Sequence, residues 1–247
     1  MPKSGSSEPG STRFKPGSKR SKSGTRRGRM HDAEGTREAI LDAAEDVFAQ
    51  HGFDGARIDA IAAKSGYNKS LIFQYFDDKL GLYAAVVRRA DEQTRVVQDQ
   101  ALGALHDESV THSPEQLRDL LRRYVGWYFD YLVEHPRVMR IFNWELAEGW
   151  QTFSKILTQR DFDDVDQFMP IFQMFQRAGL VRSDVDPILQ FTSALFVSHI
   201  YLGILPLYNT LLPNADLSSS AALRSARGFI IEFVVNGFLL APAEAKT

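Results

Sequence analysis

Apolar residues downstream of residue 30 recur at helical spacing. The first segment has a single apolar stripe, formed by Ile40, Leu41, Ala44, Val47 and Phe48. Gly52 then fits the left-handed C-terminal cap of this helix. A second, short helix ends at Gly66, and its apolar side consists of Ile58, Ile61 and Ala62. The pattern therefore predicts two consecutive helices.

Two further helices are predicted directly after Gly66. Asn68 is a good N-cap for a third helix, whose apolar residues are Leu71, Ile72, Tyr75 and Phe76. Asp77 separates it from a fourth helix, which has Leu80, Tyr83, Val86 and Val87 on one side. Four helices thus account for the chain from residue 36 to the segment after residue 80.

The rest of the chain keeps the helical pattern. Ser113 and Gln116 form a predicted capping box with Pro114 at the first helical position, and this helix should end at His135–Pro136. Gly179 closes another helix, and Asp186–Pro187 begins a long apolar one. A final helix is expected from about residue 221 to residue 240. Since no alternating strand pattern of useful length occurs, we predict an all-α fold.

Composition excludes some classes of site. The 247 residues include no cysteine, so the chain has neither disulfides nor thiolate metal ligands. Residues 1–30 hold nine Lys and Arg against Glu8 alone, a net charge of +8, which leaves −10 for the remainder. A basic segment rich in Ser, Gly and Pro predicts a disordered arm that contacts a polyanion. A solubilising leader, or residues upstream of a true start at Met30, explains the same composition.

Membrane insertion is not expected. The N-terminus lacks the apolar region of a secretory signal. Residues 191–208 are the best candidate for a membrane span, but they are short, contain His199 and are interrupted by Pro206. We interpret them as a buried helix and expect a cytoplasmic protein with no membrane partner.

Residues 64–79, KSGYNKSLIFQYFDDK, place aromatic, amide and cationic side chains close together. Two short helices joined at a glycine are typical of a helix-turn-helix, whose second helix enters the DNA major groove. Cationic groups would meet phosphates, and exposed aromatic and amide groups would contact sugar-phosphate and thymine methyls. The stretch therefore predicts a DNA-binding surface.

Residues 36 to about 85 closely resemble the DNA-binding region of the tetracycline-repressor (TetR) family, with the skeleton F..HGF.G....IA..SG...S.....YF..K..L in register. Beyond them, only the organisation and the phrases HPRVMRIFNWELAEG and AGLVRSDVDP are similar. The resemblance implies an N-terminal three-helix helix-turn-helix DNA-binding domain followed by a larger helical ligand-binding and dimerisation domain. We therefore expect an arm at 1–30, the DNA-binding domain at 31–80 and the helical domain at 81–247.

By position, the resemblance also implies the DNA contacts. It places Arg57 and Asp59 at the start of the second helix and Lys79 against a phosphate. In the third helix it implies groove and backbone contacts by Lys69, Ser70, Leu71, Phe73, Gln74 and Tyr75. Phe73 departs from the family's usual tyrosine and Leu71 from a small polar residue, and both changes reduce polar contact with DNA.

The C-terminal half has more aromatic residues than one core stripe needs, which favours an aromatic-lined cavity between helices. The candidate ligand contacts are Trp127, Tyr131, Phe142, Asn143, Trp144, Trp150, Phe153, Phe172, Phe175 and His199. For any one of these aromatic residues plain core packing is the better interpretation, and a satisfied core histidine is favoured over a ligand contact for His199. The acidic run Asp161, Asp163, Asp164 and Asp166 lacks the spacing of a calcium loop, so we predict no metal and no cofactor.

These patterns predict a homodimeric, DNA-binding transcription regulator. We expect a repressor that binds a pseudo-palindromic operator and is released by a small hydrophobic or aromatic effector. One alternative is an all-α ligand-binding or scaffold protein whose helix-turn-helix no longer recognises DNA sequence. The other is an enzyme acting on a hydrophobic substrate, which would need a catalytic dyad that the sequence does not show.

Overall fold

The structure is a computed structural model that describes residues 24–103, 113–158, 173, 175, 176, 179 and 181–238. Within these residues it contains nine helices. Their bounds are α1 Gly24–Gly55, α2 Ile58–Ser65, α3 Lys69–Phe76, α4 Lys79–Gly103, α5 Pro114–Glu134, α6 Pro136–Ala147, α7 Gln151–Thr158, α8 Pro187–Leu211 and α9 Ser220–Phe238. The predicted all-α fold is confirmed.

The chain divides into two compact units, residues 1–38 and residues 39–247. The described part of the first unit is the beginning of α1, where Arg37 pairs with Glu38 at 3.3 Å. Residues 24–30 of the predicted arm belong to this helix, whereas residues 1–23 lie outside the described residues.

The second unit contains the predicted helix-turn-helix, and its predicted caps are present. Gly66 ends α2 with φ 78°, a left-handed conformation that favours glycine. The side chain of Asn68 caps α3 by accepting a hydrogen bond from the Leu71 amide at 2.9 Å. A Cβ on Gly81 would lie 2.1 Å from the carbonyl oxygen of Phe76. Only glycine therefore allows the first turn of α4 to approach the end of α3 so closely.

Two hydrophobic cores lie in this unit. The first core contains residues of all four helices from α1 through α4, such as Phe48, Ile61, Ile72 and Tyr83. It also includes Ile141 of α6 and Ile156 of α7. The second joins α5, α8 and α9 through residues such as Val125, Phe129, Leu202, Ile230 and Val235. Because α6 and α7 contribute to the first core, the helices of the predicted DNA-binding domain pack directly on them.

The C-terminal helices begin and end where their caps predict. The capping box of α5 is present, with Ser113 and Gln116 bonded to each other's amides. The carboxylate of Asp186 caps α8 by accepting hydrogen bonds from the amides of Ile188 and Leu189. The predicted end of the last helix, at residues 239 and 240, lies outside the described residues, as does the acidic run at 161–166.

Helix α8 has two apolar faces with different surroundings. It is long and apolar enough to cross a membrane, by length and composition alone. One face is buried in the second core through Ala194, Ser198, His199, Leu202 and Leu205. The opposite face is exposed and includes Ile200, Ile204, Leu207, Tyr208 and Leu211. The predicted burial therefore applies to one side of the helix.

Candidate nucleic-acid interface and ligand cavity

Helix α3 is apolar on its inner side and polar on its outer side. Ile72 and Phe76 are buried in the first core. Ser70 and Gln74 are exposed, and Phe73 is 40% exposed. The aromatic residues of this helix therefore have different roles, because Phe76 holds it on the core while Phe73 faces outward with the polar residues.

The predicted contacts at the start of α2 lie beside α3. Arg57 is the exposed N-cap residue of α2, and its side chain makes no capping hydrogen bond. Asp59, in the first turn, pairs with Lys69 at 2.6 Å, and both side chains are at least half exposed. The carboxylate of Asp59 thus already neutralises the lysine predicted to contact DNA.

Leu71 and Tyr75 are half-buried. The ring of Tyr75 lies 6.1 Å from that of Phe76, so part of its surface packs on the domain. Eight of the predicted contacts expose at least part of their side chains on α3 or at the start of α2: Arg57, Asp59, Lys69, Ser70, Leu71, Phe73, Gln74 and Tyr75. Their role in binding DNA stays a prediction.

Lys79 starts α4 and is tied to the end of α1. Its Nζ donates a hydrogen bond to the carbonyl oxygen of Asp54 at 3.2 Å and lies 4.7 Å from the centre of the Phe53 ring. Burial lowers the pKa of Lys79, and the negative charge of Asp54 opposes that shift. A phosphate would have to be contacted by the N–H groups of Lys79 Nζ that do not bond to the carbonyl oxygen of Asp54.

A cavity of about 260 Å³ lies among α4, α5, α6, α7 and α8. Five of the predicted ligand residues line it: Tyr131, Phe142, Trp150, Phe153 and His199. Trp150 has φ 63°, a conformation that is unusual for a bulky side chain. Its ring contacts those of Phe142 at 4.8 Å and Phe153 at 5.8 Å.

The other predicted ligand residues lie elsewhere. Trp127 packs on the rings of Tyr124 and Tyr131 behind the cavity wall. Trp144 donates its indole N–H to the carbonyl oxygen of Ala49 at 3.2 Å, so it holds α6 on α1. Asn143 lines a separate surface depression together with Trp144. Phe175 is buried in the second core, and Phe172 lies outside the described residues.

Sequence reasoning missed a buried carboxylate in the cavity wall. Glu145 is 2% exposed, and its Oε1 accepts a hydrogen bond from the hydroxyl of Tyr83 at 2.6 Å. Its Oε2 accepts one from the amide of Phe153 at 3.0 Å. Burial is the main cause that raises the pKa of Tyr83 far above its usual range, and the hydrogen bond to Glu145 is the second. The sequence signal that could have predicted its burial was the position of Glu145, four residues after the apolar Ile141.

A tyrosine–histidine pair lies in the same wall. The hydroxyl of Tyr128 is hydrogen-bonded to Nε2 of His199, and the ring of Phe142 stacks on the imidazole at 4.0 Å. Burial lowers the pKa of His199 to about 4 and raises that of Tyr128, so both groups are neutral near pH 7. Nδ1 of His199 has no hydrogen-bond partner in the described part of the chain.

Comparison with known proteins identifies both halves of this arrangement. The sequence model of "Bacterial regulatory proteins, tetR family" matches residues 40–86, which include α2, α3 and the start of α4. A second model, "Tetracyclin repressor-like, C-terminal domain", matches residues 118–234, which include the α5–α8 side of the cavity lining and most of the second core.

Individual proteins agree with this result. The chain is 33% identical over 159 residues to the HTH-type transcriptional repressor NicS of Pseudomonas putida. This match covers 64% of this chain and 71% of NicS. It is 35% identical over 117 residues to the HTH-type transcriptional repressor SCO4008 of Streptomyces coelicolor, and this match spans 53% of SCO4008. The structure of SCO4942, assigned as a transcriptional regulator of the same organism, has a TM-score of 0.57 at 25% identity and covers 82% of this chain and 98% of SCO4942. The chain belongs to the tetR family of bacterial regulatory proteins.

Proposed function

We propose that this chain is a DNA-binding transcription regulator that acts as a repressor. It binds a pseudo-palindromic operator as a homodimer, and a small hydrophobic or aromatic effector in the cavity releases it. The observation that carries the DNA-binding part is the two-sided α3. Its apolar side is fixed on the first core, while Ser70, Phe73 and Gln74 are exposed on the other side. A helix held in this way can present its outer residues to a major groove.

The exposed apolar faces of α8 and α9 support the homodimer. Phe229 and Phe233 of α9 are 64% and 58% exposed, and their rings stack at 5.9 Å. They lie beside Ile200 and Ile204 of α8 in one apolar depression. An apolar patch of this kind on a water-soluble protein marks an interaction site. Two copies of the α8–α9 pair would form a four-helix bundle about a two-fold axis.

A two-fold dimer places two α3 helices on the same side of DNA. Their half-sites would then lie about one helical turn, roughly 34–36 Å, apart or somewhat more. The symmetry of the protein accounts for the pseudo-palindrome, since each copy contacts one half-site.

Helix α4 supports coupling between the cavity and DNA. Its residues Tyr83 and Val86 line the cavity, and its first turn contacts α3 at Gly81. Arg89 of α4 also pairs with Asp42 and Glu45 of α1. An effector that moved α4 would therefore move the DNA-binding helices and change the separation of the two α3 helices.

A gel shift on randomised DNA, followed by sequencing of the bound fraction, tests this function. We expect enrichment of a pseudo-palindrome and loss of binding as salt is raised. Leu71→Ala should cost roughly 1 kcal/mol at one base position per half-site. Leu146→Ala, at an exposed leucine of α6, is the matched control and should change nothing. If the wild-type protein enriches no sequence, the result would favour the alternative of a ligand-binding or scaffold protein.

A further inference from the structure

In the part of the cavity wall that the structure describes, the charged side chains are acidic. Among the described residues that line the cavity, the charged ones are Glu145 and Asp91, and none is Lys or Arg. His199 adds no cation near neutral pH, because burial keeps its imidazole neutral. A ligand bearing a carboxylate or phosphate would therefore meet like charge and find no ion-pair partner in this part of the wall.

Glu145 is buried in the cavity wall and accepts hydrogen bonds from two neutral donors. Each of its oxygens accepts one hydrogen bond, from the Tyr83 hydroxyl and from the Phe153 amide. A buried carboxylate is normally paired with a cation, because removing its charge from water is costly. The described residues give Glu145 no such ion pair, so a bound ligand can supply the missing charge.

The aromatic rings of the cavity suit the same ligand. Phe142, Trp150 and Phe153 form a chain of edge-to-face contacts, and the backbone amide of Phe153 itself donates a hydrogen bond to Glu145. The face of an aromatic ring carries a negative potential that attracts a cationic nitrogen. Rings also pack well against a flat apolar body. A carboxylate beside several rings is therefore complementary to an aromatic molecule with a positively charged nitrogen.

From these contacts we infer that the effector is an aromatic cation, such as an aryl-alkyl ammonium, with its nitrogen beside Glu145 and its ring among Phe142, Trp150 and Phe153. The inference rests on the proposed function, because it identifies the chemical class of the effector. It is more specific than the proposed function about the chemistry of the effector. A neutral hydrocarbon or an aromatic acid could fill an apolar cavity, but neither would bring a positive charge to the carboxylate of Glu145.

Three probes with the same ring system test the inference: naphthylmethylammonium, naphthylmethanol and naphthoate. Their affinities for the full-length protein are measured by calorimetry at pH 7 and by quenching of tryptophan fluorescence. We expect the ammonium to bind at least about tenfold more tightly than the alcohol, and naphthoate to bind most weakly. Equal affinities, a preference for naphthoate or binding of none of the probes would overturn the inference.

Variants assign the preference to Glu145. In Glu145→Gln the ammonium and the alcohol should bind alike, since the amide keeps the shape and loses the charge. Glu148→Gln is the matched control, because it removes the same charge from the same segment outside the cavity lining. A preference that survives in Glu145→Gln contradicts the assignment. Should Glu145→Gln not fold, the order of affinities in the wild-type protein still decides.

Operator binding, measured on the same preparations, separates this inference from the proposed function. If the protein binds its operator and the ammonium does not release it, the effector class is wrong and the DNA-binding function stands. If no operator is found but the ammonium is preferred, the cavity is assigned correctly and the function as a repressor fails.

Discussion

The hydroxyl of Tyr83 donates a hydrogen bond to Oε1 of Glu145 at 2.6 Å and joins α4 to α6 in the cavity wall. The other side of the same tyrosine ring contacts the rings of Phe48 and Phe53 in α1, at 4.8 Å and 5.2 Å. One side chain therefore touches both the cavity and the DNA-binding domain. Any ligand that changes the position of Glu145 acts on a residue packed against that domain.

Removing this hydroxyl should destabilise the protein. In Tyr83→Phe the buried Oε1 of Glu145 loses its donor, which costs about 1–3 kcal/mol of unfolding free energy. Urea unfolding followed by circular dichroism, at one fixed protein concentration, measures the change. Tyr75→Phe removes a hydroxyl from a half-buried tyrosine of α3 and should change stability by less than about 0.5 kcal/mol. Equal effects of the two variants would show that the Tyr83–Glu145 bond contributes little.

His199 should make the protein less stable in mild acid. Its folded pKa of about 4 lies below the ordinary value of 6.5, so the unfolded chain binds the proton more readily. Stability is therefore present above pH 6.5 and is lost as pH falls towards 4. Between pH 7 and pH 5 the loss from this group is about 2 kcal/mol.

Urea unfolding at both pH values measures that loss. His199→Gln should reduce the difference between pH 7 and pH 5 by about 2 kcal/mol. His51→Gln, at an exposed histidine of α1, should leave it unchanged. An unaltered pH dependence in His199→Gln would mean that the imidazole is not held neutral.

Freeing Lys69 should strengthen DNA binding. Asp59 pairs with this lysine and also adds a negative charge to the proposed DNA surface. In Asp59→Asn, Lys69 of each protomer can contact a phosphate, and the slope of log affinity against log salt should steepen by about 1.8 per bound dimer. Binding of unrelated DNA should rise as well, because a phosphate contact carries no sequence information. Glu134→Gln removes the same charge from an exposed position of α5 and serves as the control.

A charge in the exposed apolar face of α9 should separate the dimer. Phe233→Asp would place a carboxylate in the proposed bundle, where burying an unpaired charge is costly. Light scattering should show a monomer, and operator binding should be lost. Leu146→Asp adds the same charge to an exposed leucine of α6 and should leave the dimer intact. A wild-type protein that is monomeric at micromolar concentration contradicts the prediction outright.

Residues 1–30 should contribute to DNA affinity through charge alone. Their net charge is +8, and basic N-terminal arms can follow the DNA backbone or enter the minor groove. A protein that starts at Met30 should keep its dimer and ligand binding, lose specific and non-specific affinity by similar factors, and show a shallower salt slope. Replacing Lys19, Arg20 and Lys22 by serine should give an intermediate slope. An unchanged slope after truncation would favour the leader interpretation.

Local patterns predicted the all-α fold and the caps of α2, α3 and α5, whereas the DNA contacts of α3 stay a prediction. Gly66, Asn68 and Ser113 act through neighbours within a few residues, so their roles can be predicted from the sequence. The ligand cavity depends on contacts between distant segments. Trp144 lies outside it because its indole reaches the carbonyl of Ala49, 95 residues away. Glu145 was missed because a carboxylate on a helix is ordinarily exposed, and its partner Tyr83 is 62 residues away.

The exposed apolar faces of α8 and α9 affect how gene dosage would act on this regulator. If only the dimer binds the operator, then at low concentration the occupied fraction varies with the square of the amount of protein. Doubling expression would raise occupancy about fourfold, by mass action. A regulator of this kind responds to its own copy number more steeply than a monomeric one, so a promoter under its control would pass from active to repressed over a narrower range of expression.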